Sequence, residues 1–557
     1  MARELRSMAA MTAVRRSHWR ALGLSEADFA KPKIAVVNSS SELAICFAHL
    51  DGVARIVKDA IREAGGLPFE VRTAAPSDFI TGANKAGAYI LAARDVVTND
   101  IEVQVEAAML DGMICLTSCD KTPPGHLMAA ARMNIPTLLV IGGYQPAGDI
   151  DGDPVDIEDL FVGSVGQIFG KPGRHSVDAM AENAIRGPGV CAGMATANSM
   201  HVAVEALGMS LPGSAPVLAN SPKMLDCARA SGRRIVEMVM EDLKPRDIMT
   251  RAAFVNSAAA VLAVSGSINC LKHLQATATE AQTDIDVYGI FEELSEKVPT
   301  LSAVRPNGKR RIEEFEAAGG AQALLKQLAP VIDTSAMTAT GKTLAENLAS
   351  VTVADPEVIR PLGNPISPGP SIAVLKGSLA PESAIVKLGI RDGSRPEKFS
   401  GEAVVYEDSA DVMRDLADGK IGKGQVIVLR GQGLKGGPAM GGGASTVLFA
   451  IDAAGLAKDV AFVTDGQLSG LCLKGLTIAE VSPESAAGGP LAKVRNGDRI
   501  VVDADKRQLD LDVSPEELAR RPAPSNAYAN EADGYLGIYR RDVQPMSTGA
   551  VLLDLEK

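Results

Sequence analysis

The first third of the chain alternates short apolar runs with stretches of helical period. Ile34-Ala-Val-Val37, residues 69–72, Met113-Ile-Cys-Leu116 and Thr137-Leu-Leu-Val-Ile141 read as strands. The unbroken apolar character of Met113-Ile-Cys-Leu116 suits a sheet buried on both faces. Between them, residues 51–64 have helical periodicity and end at Gly65-Gly66, a C-cap signal. Residues 89–109 are mostly helical in pattern, and residues 127–133 follow Pro123-Pro124-Gly125, prolines that suit a first helical turn. Strand, helix, strand at this rhythm predicts an α/β fold, a parallel sheet with helices on both faces.

The pattern then changes. Residues 13–19 predict a surface helix only, and residues 144–186 read as an acid-rich stretch of loop. Residues 198–350 are largely helical, with helices expected at 317–328 and 343–349. Proline and glycine crowd at 361–370, a plausible boundary. Beyond it, short apolar runs at 403–406, 426–429, 460–463 and 500–503 are mostly separated by Gly-rich turns. They predict a β-rich, barrel-like second domain. The expected division is 1–365 for the α/β domain and 366–557 for the β-rich domain.

Composition narrows the classes. A chain of 557 residues is too long for one core. A net charge of −12 argues against a nucleic-acid surface. No apolar run approaches the length of a membrane helix, and no secretory signal is visible at the amino terminus, so the cytoplasm is the expected location. Seven cysteines spread through so long a chain fit reduced thiols or metal ligands better than a disulfide frame.

Three of those thiols follow strand or loop ends. Cys119 stands in Ser118-Cys-Asp-Lys121, just past a strand and before a helix, where open α/β sheets bind ligands. Cys46 lies after the strand 34–37. Cys191 is the centre of the glycine-rich loop Gly187-Pro-Gly-Val-Cys-Ala-Gly193, where glycine lets backbone approach a bulky group. Three such thiols could meet at one point, although their spacing is not that of a CxxC zinc site. Asp149-Ile-Asp-Gly-Asp153 lacks the full ligand pattern of a calcium loop, and His273 reads as a packed helix residue.

Further motifs run in order along the chain. They are Pro76-Ser-Asp78, Cys119-Asp-Lys121, the Cys191 loop ending Thr-Ala-Asn-Ser-Met200, and Ser265-Gly-Ser-Ile-Asn269. Then come Ala373-Val-Leu-Lys-Gly-Ser-Leu-Ala-Pro381, Lys435-Gly-Gly-Pro438, Thr464-Asp-Gly-Gln-Leu-Ser-Gly470 and Val481-Ser-Pro-Glu484. Together they resemble the dihydroxy-acid dehydratase / phosphogluconate dehydratase family, which includes sugar-acid dehydratases. The resemblance implies that Cys46, Cys119 and Cys191 hold an iron–sulfur cluster, usually [2Fe–2S] with [4Fe–4S] as the alternative, leaving one iron open as a Lewis acid. It implies Mg²⁺ at Asp78, Asp120 and Lys121, the lysine being carboxylated. Unmodified, Lys121 could instead pair with Asp120 or a substrate carboxylate. It implies that Ser469 is the base that removes the C2 proton of a 2,3-dihydroxy acid, giving a 2-keto acid.

The Cys119 motif leans toward the branched-chain dihydroxy-acid enzymes. A sugar-acid dehydratase, or a relative with an altered metal site and different lyase, isomerase or non-catalytic chemistry, are the alternatives. A homodimer or dimer of dimers acting on a small hydroxy acid is implied, with no nucleic-acid or membrane partner. Two departures stand out. The family's glutamate after Lys-Gly-Gly-Pro is absent, with Gly442 nearest its place, and the arginine before the serine is Gln467. Cys115, Cys227, Cys270 and Cys472 fall outside the motifs and are expected in the core.

Overall fold

Four parallel strands build the first sheet: β1 (Lys33–Asn38), β2 (Leu67–Arg72), β3 (Gly112–Thr117) and β4 (Thr137–Ile141). The structure is a computed structural model, described for residues 9–82, 87–393, 395–440, 442–468, 470, 475–522 and 533–553. The strand order is β2-β1-β3-β4. The chain therefore leaves β1 on one side, then crosses back to place β3 on the other. This reversal opens a crevice at the carboxyl ends of β1 and β3, the usual ligand position of such sheets. Strands β1, β3 and β4 are buried throughout, which is why they read as unbroken apolar runs. Helix Leu50–Glu63 packs on Pro222–Glu241, and Tyr89–Val105 packs on Thr122–Met133. The first pair meets closely because Gly232 offers no Cβ; one would lie 2.8 Å from the Val57 carbonyl.

A short hairpin follows, β5 (Gly148–Ile150) with β6 (Asp153–Val155). Asp151 and Gly152 at its tip have φ of 54° and 86°. Two positive φ angles mark the tight primed turn of a two-residue hairpin, so the acidic run shapes a turn. The expectation of loop over 144–186 is corrected further by helices Ile157–Ile168 and Val177–Asn183. The first is opened by a capping box in which Asp156 and Asp159 satisfy each other's backbone N–H groups. The expected helix 317–328 is two, Ile312–Ala317 and Gly320–Leu328, divided where Gly319 and Gly320 take left-handed φ of 113° and 58°.

The second sheet has eight strands: β7 (Ile372–Leu375), β8 (Ser383–Lys387), β9 (Lys398–Tyr406), β10 (Gln425–Leu429), β11 (Ala461–Thr464), β12 (Leu476–Ser482), β13 (Arg499–Asp503) and β14 (Gln508–Leu511). Their order is β14-β13-β9-β10-β11-β12-β8-β7. The edges nearly close: Lys376, just after β7, pairs with Gln508 of β14, and Leu509 N donates to the Lys376 carbonyl at 3.0 Å. The expected barrel-like architecture is observed. Alternation along β10 shows how it is filled. Val426 and Val428 join the barrel interior, while Ile427 and Leu429 join the large core shared with the first sheet. Strands β9 to β12 run parallel, with helices Ser409–Ala417 and Gly442–Ala453 as crossovers. No described helix is long and apolar enough to cross a membrane.

Candidate active site

Cys119 occupies the first residue position but one after β3 and has φ of 52°. A left-handed non-glycine residue stores strain and clusters at functional positions. The turn is held locally, since Ser118 N donates to Thr122 Oγ1 at 2.8 Å. Ser118 Oγ donates to the Cys46 carbonyl at 2.6 Å and so ties the segment after β3 to that after β1. Cys46 itself sits in the short helix Ile45–Ala48. The Cys46 and Cys119 thiols are neighbours that shift each other: Cys119 lowers the Cys46 thiol pKa, and Cys46, with burial, raises that of Cys119.

Cys191 reaches the same place by a different route. After β4, Gly143 and Tyr144 pair with the Cys191 loop: Val190 N donates to the Gly143 carbonyl at 2.9 Å and Gln145 N to the Val190 carbonyl at 2.8 Å. Gly189, with φ of 106°, lies so close to Tyr144 that a Cβ would be 2.6 Å from its carbonyl carbon. Asn198 Nδ2 then donates to the Cys191 and Gly193 carbonyls at 2.9 and 2.8 Å. Burial, with Asp120 next in weight, pushes the Cys191 thiol well up. All three thiols line one cavity of about 400 Å³.

The carboxylates meet them there. Asp78 opens the short helix Asp78–Thr81. Its side chain keeps 19% exposure, yet Oδ1 is buried without a partner. Burial pushes its carboxyl well up; Lys121 opposes this and the neighbouring Asp120 adds to it. Lys121 is fully buried, with Nζ 3.7 Å from Asp78 Oδ2 and 2.7 Å from the Met440 sulfur. Its ion-pair partner is thus Asp78, not Asp120. Met440 and Ser445 come from the barrel side, and Ile157, Phe161, Phe79, Ile80 and Val190 form an apolar wall. Phe161 stands edge-on to Phe449, ring centroids 5.2 Å apart.

Among the described residues, no set of three His, Cys, Asp or Glu side chains forms a ready-made metal site. The donors nevertheless fit the implied groups. Burial opposes ionisation of Cys119 and Cys191, and the touching Asp78 and Asp120 carboxyls leave a buried oxygen unpaired. Both conditions are relieved by a cation.

Ser469 and Cys472 lie outside the described residues. Cys115 and Cys270 are buried as expected, whereas Cys227 is partly exposed. His273 is buried in its helix beside Arg94. Gln467 turns from the cavity to Glu480, donating from Nε2 to Oε1 at 2.7 Å. Sequence reasoning missed the wall residues Ile157 and Phe161. The Asp156–Asp159 capping box was the signal that could have placed them on a helix.

Residues 31–347 match the dihydroxy-acid/6-phosphogluconate dehydratase N-terminal family model, and residues 357–550 its C-terminal counterpart. A dihydroxy-acid dehydratase of Ignicoccus hospitalis is 42% identical over 513 residues, covering 91% of this chain and 92% of its own. Dihydroxy-acid dehydratase 1 of Methanosarcina acetivorans is 39% identical over 544 residues, 97% and 98% of the two chains. A dihydroxy-acid dehydratase of Desulfitobacterium hafniense is 40% identical over 550 residues, 96% of each. With both halves matched and the two sheets in the expected places, the chain belongs to the dihydroxy-acid/6-phosphogluconate dehydratase family and is a hydro-lyase.

Proposed function

We propose that the protein dehydrates a 2,3-dihydroxy carboxylic acid with an aliphatic, branched-chain tail to the corresponding 2-keto acid. The observation that carries this reading is the meeting of three thiols and two carboxylates at one largely apolar cavity. When bound, a [2Fe–2S] cluster at Cys46, Cys119 and Cys191 would supply a Lewis acid for the departing hydroxyl, and Mg²⁺ at Asp78, Asp120 and Lys121 would bind substrate oxygens.

The chain's own residues do the rest. Ser469 takes the proton from C2 as the C3–O bond breaks and water leaves. The enol gains a proton at C3 and becomes the keto acid. Ile157, Phe161 and Val190 hold the tail and exclude water. That wall favours an aliphatic tail over the polyhydroxylated chain of a sugar acid.

Two copies pair in this reading, because Leu43, Ile45, Phe79, Ile80 and Ile185 rim the mouth and are all exposed. The protein works with reduced thiols in the cytoplasm; the described cysteines are all free.

The test is anaerobic loading with iron and sulfide, followed by keto-acid assay with 2,3-dihydroxyisovalerate and gluconate in Mg²⁺. Faster turnover of the branched acid is expected. A brown, loaded protein that forms keto acid from neither compound would end the proposal.

A further inference from the structure

Lys272 and Glu480 form an ion pair that is shut off from solvent, Nζ to Oε1 2.5 Å. Lys272 belongs to helix Asn269–Glu280 and Glu480 to barrel strand β12, so the pair joins the two halves of the molecule. Removing both charges from water is costly, and an apolar pair of similar size is often at least as stable. The pair is better explained by what it holds in place.

Glu480 is built to reach inward. It has φ of 54°, and the β12–β8 register shifts between Ala479 and Ser482. Bulges of this kind re-aim a side chain. Its Oε1 accepts from Gln467 Nε2 at 2.7 Å as well as from Lys272, and its backbone N donates to the Gly466 carbonyl at 3.0 Å. Gln467 in turn pairs through its backbone with the Met440 segment, its N donating to the Ala439 carbonyl at 2.7 Å. Met440 is the residue whose sulfur meets Lys121.

On the other side, Lys272 Nζ donates to Asn269 Oδ1 at 3.2 Å, and Asn269 Nδ2 to Thr196 Oγ1 at 3.1 Å. Thr196 is five residues beyond Cys191. Gly470 rests directly on this cluster; a Cβ there would be 2.9 Å from Thr196 N and 3.0 Å from the Ser267 side chain.

We propose that Lys272 and Glu480 are positioning residues, a buried brace that registers the barrel loop around Gln467 and the Met440 segment against the Cys191 loop. This rests on the dehydratase reading, in which the loop after Gln467 carries the base.

The test uses the full-length, cluster-loaded protein with Lys272→Met and Glu480→Leu combined, so that no lone charge is left buried, and Glu480→Gln alone. The double variant should keep its iron content and melting temperature. Its kcat should fall roughly 30- to 100-fold, with KM changed less than about threefold. Amide exchange over 465–468 should rise at least about tenfold, with β1 and β3 unchanged. Glu480→Gln keeps an acceptor oxygen for both partners, and burial, which already draws the Lys272 pKa down to about 8, lets the lysine shed its charge, so this variant should stay within about fivefold of the parent kcat. Parent-like kcat and exchange in the double variant would overturn the brace. So would a rise in exchange spread over the whole barrel together with a lowered melting temperature in both variants. If the parent forms no keto acid, the dehydratase reading fails, and the exchange data still decide whether the brace holds the loop.

Discussion

The Cys46 and Cys119 thiols are neighbours at the crevice between β1 and β3, and each shifts the other's pKa, Cys46 down and Cys119 up. Cys191 joins them at the cavity wall, whereas Cys115 and Cys270 are buried away from it. Serine at 46, 119 or 191 should therefore lower iron and acid-labile sulfide per chain and bleach the visible absorption. The loss should be at least as large as the roughly 10- to 100-fold drop in affinity seen on removing a supporting partner of a ligand. Serine at Cys115 or Cys270 should leave iron content unchanged, because burial pushes both thiols up, and at Cys270 it outweighs the opposing pull of Lys387 and Lys272. Iron and sulfide analysis of the five variants checks this.

Asn198 acts on one of these thiols at a remove. Its amide holds two carbonyls of the Cys191 loop, and Asn198→Ala leaves both without that donor. The expected cost is about 1–3 kcal/mol of stability. The cluster should bleach under a chelator about 10- to 100-fold faster than in the parent. An unchanged bleaching rate would mean that the loop keeps its shape without the asparagine.

Much of this was legible from pattern alone. β1, β3 and β4 are buried on both faces, so their sequences are unbroken apolar runs, and the chemistry follows their carboxyl ends. What pattern could not supply was contact between segments far apart in the chain. Met440 lies in a Gly-rich stretch with no period, and only the fold brings its sulfur to Lys121. Gln467 read as a lost arginine, but its partner Glu480 becomes visible only once β12 bulges. Helix Ile157–Ile168 was hidden because glycines and acids broke its apolar period, although its cap was present. The crossovers Ser409–Ala417 and Gly442–Ala453 were lost among the short strands they connect.

His126 and His201 are fully buried, and neither ring nitrogen of either has a partner among the described residues. Burial pushes each pKa down from the ordinary 6.5 to about 3. The unfolded chain then binds more protons than the folded one between about pH 3 and 6.5, so stability falls as pH falls through that window. Each histidine contributes a slope of about 1.4 kcal/mol per pH unit there. His126→Leu should make the decline of the urea midpoint shallower below pH 6.5 and leave its shape above pH 7 unchanged. An identical slope in the variant would assign the acid loss to other groups.

Lys121, itself fully buried, presents its amine to the Met440 sulfur and to Asp78. A neutral amine there can add CO₂, releasing a proton and gaining two oxygens that suit Mg²⁺. Arginine keeps the positive charge but does not form that carbamate, so Lys121→Arg separates the two roles open to this residue. If the carbamate is the working form, parent protein freed of CO₂ should bind Mg²⁺ at least about tenfold more weakly and recover with bicarbonate. The arginine variant should not respond. Carbon-13 bicarbonate should give a carbamate resonance in the parent alone. If the parent shows neither resonance nor bicarbonate response, Lys121 acts as an ammonium paired with Asp78, and Mg²⁺ is left with the two carboxylates only.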